Sequence, residues 1–265
     1  EPLLIIHGGP GLSHDYFLPH LLPLAENYQL IFYDQRGTGR SSIELDSASM
    51  SLDHFVEDIE AVRKHFNIDK INIVGHSWGG FLAGLYAIKY KNHVKSIVFW
   101  DATPMNSHLR DVMILKQKDL LTSEDHKSVR KVSRSKEFLA GEPKAIKRLF
   151  WAIFKPSFFA QKLVYKLDFY FNENYSKSQL LLIYMYDNLV KYDYYNQLQK
   201  LKAPALIFQG EYDPMPIESA QELHRQIKNS EMIVIKECGH FPFVEKPKEL
   251  FAKMDSFYLS LNSKK

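Results

Sequence analysis

Ser77 stands in "GHSWGG" (75–80), directly after the apolar run "KINIVG" (70–75) and directly before the small, apolar "GGFLAGLYA" (79–87). A serine set between Gly75 and Gly79 with no room for a loop implies a turn from strand to helix so tight that its backbone is strained and its hydroxyl projects above the sheet. A side chain at either glycine would collide with the neighbouring strand or helix. Gly80, Ala83, Gly84 and Ala87 let the helix lie close to the strands, and its N-terminus points partial positive charge at the hydroxyl. A serine hydroxyl is a poor nucleophile until a base takes its proton, and the base needs an acid to orient it. "EYDP" follows the run "ALIFQG" (205–210) and places Asp213 just past a strand end; "CGHFPF" follows "EMIVIKE" (231–237) and does the same for His240. Open sheets put their ligands at the C-terminal ends of parallel strands. The chemistry expected of the three is acyl transfer through an acyl-enzyme: Ser77 attacks, His240 shuttles the proton and Asp213 orients the imidazole.

Acyl transfer also needs donors aimed at the developing oxyanion. The backbone N–H of Trp78, next to the serine, is the first candidate. The second comes from "HGGPG" (7–11), where glycines let bare backbone approach a reacting carbonyl; Gly9 is the preferred donor and Gly8 the second choice. Other residues compete for these roles. Asp101 also follows an apolar run and is the alternative acid. His76 is expected to point away from Ser77, and His7 to stabilise its own loop. His54, His65 and His224 fall on helical patterns and read as solvated or packed, and Cys238 reads as packing.

These residues need a frame. Apolar runs recur at 3–7, 29–34, 70–75, 95–101, 205–210 and 231–237, without polar alternation, and predict strands buried on both faces. Leu52, Phe55, Val56, Ile59, Val62 and Phe66 keep to one helical stripe with Ser51 placed to cap it. A second stripe, Leu250, Phe251, Met254, Phe257, Tyr258 and Leu261, follows Pro247 at a first-turn position. Strand and helix alternation predicts an α/β fold with a mostly parallel sheet flanked by helices. The alternation stops between about 104 and 200, where helical segments follow one another and 15 of the 46 residues from 150 to 195 are aromatic. That span carries 17 basic and 10 acidic residues, net +7, against 17 and 21, net −4, in the remainder. The expected organisation is a core of 1–103 and 201–265 with residues 104–200 inserted as a helical lid, its aromatics mostly packing on one another and a few lining a pocket.

Composition narrows the function. With 34 basic and 31 acidic residues the chain has no strong field for nucleic acid. Cys238 is the sole cysteine, so no internal disulfide and no cysteine-rich zinc site can form, and a cytoplasmic location is expected. No apolar run approaches the roughly 18–20 residues of a membrane span. HExxH, P-loop and dinucleotide motifs do not occur, so no metal and no cofactor is expected. The chain opens at Glu1 without a methionine, and a preceding segment is expected. The expected partner is a small molecule or short peptide; neither nucleic acid nor membrane is expected, and the sequence assigns no oligomeric state.

Taken together, "HGGPG", "DQRGTGRSS" (34–42), "GHSWGG", "GEYDP" and "CGHFPFVEKP" resemble the α/β-hydrolases and, among them, the proline iminopeptidases. The matching motifs run from His7 to Pro247; the span 104–200 matches in helical character alone. The resemblance implies the α/β-hydrolase fold and a serine peptidase that removes an N-terminal residue, typically proline, from a short peptide. It also implies that Asp34, Arg36 and Gly37 are scaffold that braces the oxyanion segment. Such a peptidase must hold a charged amine, and Glu173 in "FNENYS" resembles a lid Glu-Asn segment of that branch, with an ordinary surface glutamate as the other reading of the residue. Two features depart from the pattern: Pro214 follows Asp213 where some relatives carry glutamate, and the lid is basic. A carboxylesterase or lactonase with the same machinery is the alternative activity, because its substrates need no amine anchor. A non-catalytic receptor on the same fold is the alternative of another class.

Overall fold

The computed structural model describes residues 1–41, 46, 48–172 and 175–263. Each of the six apolar runs forms a strand: β1 (Pro2–Ile6), β2 (Gln29–Phe32), β3 (Ile71–His76), β4 (Val94–Trp100), β5 (Ala205–Gly210) and β6 (Ser230–Ile235). They make one sheet in the order β2-β1-β3-β4-β5-β6, and every neighbouring pair is parallel. Ten α-helices are described: α1 (Leu52–His65), α2 (Trp78–Lys89), α3 (Ser107–Leu120), α4 (Ser123–Ser133), α5 (Lys136–Leu139), α6 (Pro143–Phe154), α7 (Tyr175–Asp187), α8 (Ile217–Gln226), α9 (Pro242–Glu245) and α10 (Pro247–Asn262).

Alternate strand residues enter two different cores, as the period of two requires. Leu4, Ile6, Ile73, Ile97, Phe99 and Ile207 pack with α1, α2 and α8 on one face. Leu3, Ile5, Val74, Val98, Trp100 and Phe208 pack with α10 on the other. Helices thus cover both faces, which is the α/β-hydrolase layering expected from the sequence. The expectation of burial on both faces holds for β1, β3 and β5 and fails for β2 and β6, which are only partly covered. Both are edge strands with a single neighbour, so one flank of each stays open to solvent. Ser51 does precede α1 in extended conformation, but its hydroxyl meets His54 Nδ1 at 2.8 Å and not a backbone N–H of the first turn.

Between β4 and β5 the chain runs through α3 to α7. The first three of these helices are started by their own caps: Asn106 accepts from the Leu109 N–H, Thr122 and Asp125 cap each other's backbone, and Ser135 accepts from the Phe138 N–H. The aromatics of this stretch do not close a core of their own. Phe150, Phe154, Phe169 and Phe171 form one cluster, and it continues into the sheet layer, with Phe154 and Phe158 against Phe241 at ring-centroid distances of 5.4 and 4.6 Å. A second link ties α7 to the loop after β2, where the Ser178 hydroxyl donates to the Gly37 carbonyl at 2.5 Å. Among the described residues no helix is long and apolar enough to cross a membrane.

Candidate active site

Parallel pairing brings every loop that follows a strand to one edge of the sheet. The register sets Ile6 beside Gly75, His76 beside Trp100, Trp100 beside Phe208 and Gly210 beside Ile235. The segments after β1, β3, β4, β5 and β6 therefore emerge side by side, although they lie far apart in the chain.

Ser77 occupies the turn between β3 and α2 with φ 55° and ψ −121°, a conformation that side chains other than glycine rarely take. Its surroundings hold it there. The Ser77 N–H donates to Trp100 O at 2.9 Å, while its carbonyl accepts from Gly80, Phe81 and Thr103 N–H groups. A Cβ on Gly79 would lie 2.1 Å from Ile6 O, and one on Gly75 would lie 2.4 Å from Gly79 O. Both contacts are with backbone, so the glycines are required by close approach, as the motif implies.

His240 Nδ1 lies 2.8 Å from Asp213 Oδ1, with both side chains buried. A carboxylate accepts, so Nδ1 carries the hydrogen and Nε2 keeps its lone pair. Asp213 is itself positioned by the Met215 N–H on Oδ1 at 3.1 Å and the Gln209 amide on Oδ2 at 2.9 Å. Burial pushes the His240 pKa down, to about 4, and pushes the Asp213 carboxyl up. Asp101, the alternative acid, is also buried at this point; its Oδ1 accepts from the Gly210 N–H at 2.7 Å and it does not take the Nδ1 bond. Cys238 is buried, and burial raises its thiol far above the usual range, which fits packing and not nucleophilic chemistry.

Ser77, His240, Gly9 and Trp78 border one cavity of about 220 Å³, whose outer wall is Met113, Ile114, Gln117, Phe154 and Tyr186 from the inserted helices. Gly9, Pro10, Gln117, Phe154 and Ser157 also border an adjoining cavity of about 420 Å³ that extends between α3 and α6. Of the two glycines considered as oxyanion donors, Gly8 already donates its N–H to the Tyr16 hydroxyl at 2.6 Å. Gly9, at φ 134°, borders the cavity with Trp78. Glu173 lies outside the described residues.

A buried chain of hydrogen bonds fixes the floor of the site. The Tyr16 hydroxyl accepts from Gly8 and meets His76 Nδ1 at 2.7 Å, while His76 Nε2 lies 2.8 Å from His240 O. A carbonyl can only accept, so Nε2 of His76 bears the hydrogen and Nδ1 accepts from Tyr16. His76 is thereby neutral, in line with burial driving its pKa far down, and it faces the His240 backbone and not the Ser77 hydroxyl. His7 meets Gly8 O in its own loop at 2.8 Å and also accepts the Gln35 N–H from the loop after β2 at 3.0 Å.

The bracing expected from Asp34, Arg36 and Gly37 is arranged differently in detail. Asp34 accepts the N–H groups of His14 and Arg40, and Arg36 forms a bidentate pair with Asp58 at 2.6 and 2.7 Å. The residue that touches the site walls is Gln35, whose amide donates to His7 O at 2.6 Å and accepts from the Trp78 indole at 3.1 Å. Sequence reading missed Gln35, although it sits inside a motif already quoted. It also missed Glu245, inside the quoted "CGHFPFVEKP", and Tyr16 and Ser157, for which no local signal exists. Ser157 O accepts the His240 N–H at 2.8 Å, and Glu245 accepts the N–H groups of Gly239 and Ala160 at 2.7 and 2.9 Å.

Comparison with known proteins agrees with this architecture. The family model for the alpha/beta hydrolase fold matches residues 1–247. The chain is 30% identical over 268 residues to a proline iminopeptidase of Saccharolobus solfataricus, covering 92% of this chain and 80% of that one. It is 28% identical over 277 residues to a proline iminopeptidase of Heyndrickxia coagulans, covering 98% and 91%. Among solved structures, the proline iminopeptidase of Mycobacterium smegmatis superposes with a TM-score of 0.69 at 21% identity, covering 98% of this chain and 89% of that one. A thermophilic esterase from Thermogutta terrifontis superposes with a TM-score of 0.65 at 19% identity, covering 98% and 90%. The fold is shared by both activities. A hydrolase framework, a strained serine at the sheet edge and curated relatives of this similarity lead to one assignment: the chain belongs to the α/β hydrolase family and within it is proline iminopeptidase-like.

Proposed function

We propose that this hydrolase is a serine peptidase that releases an N-terminal proline, or another small residue, from short peptides. The observation that carries the reading is the Asp213–His240 contact of 2.8 Å at the wall of the cavity that also holds the strained Ser77. Ser77 Oγ attacks the carbonyl carbon of the first residue as His240 Nε2 accepts its proton; Asp213 steadies the imidazolium that results. The N–H groups of Gly9 and Trp78 receive the oxyanion. Collapse of the tetrahedral intermediate breaks the C–N bond, His240 returns the proton to the leaving amine, and the acyl group remains on Ser77. Water, deprotonated by His240, then frees the amino acid. In this reading residues 104–200 act as a lid over a core formed by 1–103 and 201–265, and Glu173 on that lid anchors the substrate amine.

A second reading, carboxylesterase or lactonase, is favoured by one feature: among the described residues, the wall of the reactive cavity contains no carboxylate. Comparing turnover of a proline arylamide with that of a short-chain aryl ester separates the two. Ser77→Ala should abolish both and prevent labelling by a fluorophosphonate, with a loss of about 10⁴-fold or more in kcat. Persistent turnover by Ser77→Ala would refute the serine mechanism. Glu173→Gln should depress arylamide hydrolysis selectively; equal rates for wild type and variant on both substrates would remove Glu173 from the peptidase reading.

A further inference from the structure

The fold buries two carboxyls beside His240, Asp213 and Asp101, and the proposed mechanism takes only the first. Asp101 is the first residue after β4 and is held at φ 48°, in the left-handed region. Its position is set by the end of β5: its N–H donates to Phe208 O at 3.0 Å and its Oδ1 accepts the Gly210 N–H at 2.7 Å. Its other oxygen, Oδ2, is buried and has no N–H or hydroxyl donor among the described residues. One carboxyl oxygen of Asp101 nonetheless lies within 4.8 Å of one of Asp213, and both lie within 4.8 Å of a ring nitrogen of His240.

Asp213 already accepts from His240, Met215 and Gln209, none of which can serve Asp101 Oδ2. Two carboxylates this close and out of water do not both ionise, and a buried carboxylate oxygen with no donor is costly. A single proton on Asp101 Oδ2, donated to Asp213, satisfies both groups at once. Burial and the nearby Asp213 charge raise the Asp101 carboxyl far above the usual range, in keeping with that assignment. The other titratable groups facing the pair are His240, the Cys238 thiol and Glu245, with His76 beyond His240.

We propose that Asp101 is a neutral carboxylic acid hydrogen-bonded to Asp213, so that two carboxyls share one proton and present a single negative charge to His240. Asp101 is then a positioning residue that acts through Asp213, and the proposal rests on Asp213 being the acid of the Ser77–His240 machinery. It has a further consequence. If Asp213 is removed, Asp101 loses the charge that kept it protonated, ionises, and becomes a substitute partner for His240.

The direct test uses the unmutated chain labelled with ¹³C at the aspartate side-chain carboxyls. At pH 7 one aspartate should show the shift and infrared band of a protonated acid, and this signature should vanish in Asp101→Asn and in Asp213→Asn. Kinetics supply the second arm. Asp101→Asn keeps a donor toward Asp213 and should lower kcat/KM only about threefold, but in an Asp213→Ala background the same change should cost about a further hundredfold. A wild-type spectrum with every aspartate ionised at pH 7 would overturn the proposal, as would an equal cost of Asp101→Asn in both backgrounds. The spectral arm needs no turnover, so loss of the serine mechanism by the Ser77→Ala test would leave the shared proton to be judged by itself.

Discussion

The sheet edge and the inserted helices reach the same cavity by different physical routes. At the edge each candidate residue lies within a few positions of a strand end, and its place follows from short-range pairing: Ser77 after β3, Asp213 after β5, His240 after β6. Of the helices between β4 and β5, α3, α4 and α5 have local side-chain caps, but where the helices sit is decided by contacts distant in sequence. Phe158 stacks on Phe241, Ser157 O takes the His240 N–H, and Glu245 binds Ala160 and Gly239. A segment expected to roof the cavity is thus also part of the mounting of the candidate base. The difference teaches that covering and positioning are not separate tasks in this chain.

The most severe way to break that mounting is at Gly239. A Cβ there would stand 2.1 Å from Ser157 O and 2.9 Å from Phe158 Cα, both backbone, so one of the two segments must move. Gly239→Val should lower kcat/KM by about 10²-fold or more, because a displacement of about 1 Å at a reacting group costs that much. If turnover stayed at the wild-type level, the inserted helices would be a cover and nothing else.

Phe158→Ala removes a buried ring from the same junction and should destabilise the fold by about 3 kcal/mol, read as a lower denaturant midpoint. It should also lower kcat more than it raises KM, since it loosens His240 and not the substrate wall. A pure stability loss with unchanged kcat would confine positioning to the backbone contact of Ser157.

pH sharpens the contrast further. As the proposed base His240 must be neutral to act, and burial lowers its pKa, so the imidazole limb of kcat/KM should lie below the ordinary histidine value of 6.5. In Phe158→Ala, better solvated, that limb should move up toward the ordinary histidine value of 6.5. An acid limb already at the ordinary value in the wild type would show that the junction does not keep water from the imidazole.

The smallest effect is a control away from both regions. Arg63 pairs with Glu60 at 2.6 Å and holds its carboxyl down at about 2, against 4.5 ordinarily, with Tyr86 adding a hydrogen bond. The folded-state pKa is depressed, so this stabilisation is complete above about pH 4.5 and is lost as pH falls toward 2. The Tm gap between wild type and Glu60→Gln should therefore close over that interval while kcat at neutral pH is unaffected.

Much of the candidate site could be read in the sequence because its signals are local. Glycines at 75 and 79 report two close backbone approaches that the structure shows against Gly79 O and Ile6 O. Edge strands were less legible: "QLIFYD" and "EMIVIKE" carry apolar centres like those of the central runs, and only pairing order reveals that one flank of each is open. Gly8 and Gly9 are equivalent as letters, and a tyrosine eight residues away distinguishes them by taking the Gly8 N–H. Of the two aspartates at strand ends, 213 is the expected acid and 101 the alternative, and the His240 Nδ1 bond goes to Asp213.

The sequence by itself determined the parallel α/β sheet, the strained serine turn and the kinds of residue gathered at the sheet edge, because strand pattern, turn chemistry and side-chain reactivity are properties of a few adjacent positions. Which of two acids meets the imidazole, which glycine keeps a free role and what holds the histidine loop were decided only in the tertiary structure. Those outcomes depend on angstrom-scale contacts between segments as far apart as Tyr16, His76, Ser157 and His240, and no stretch of adjacent residues carries that information.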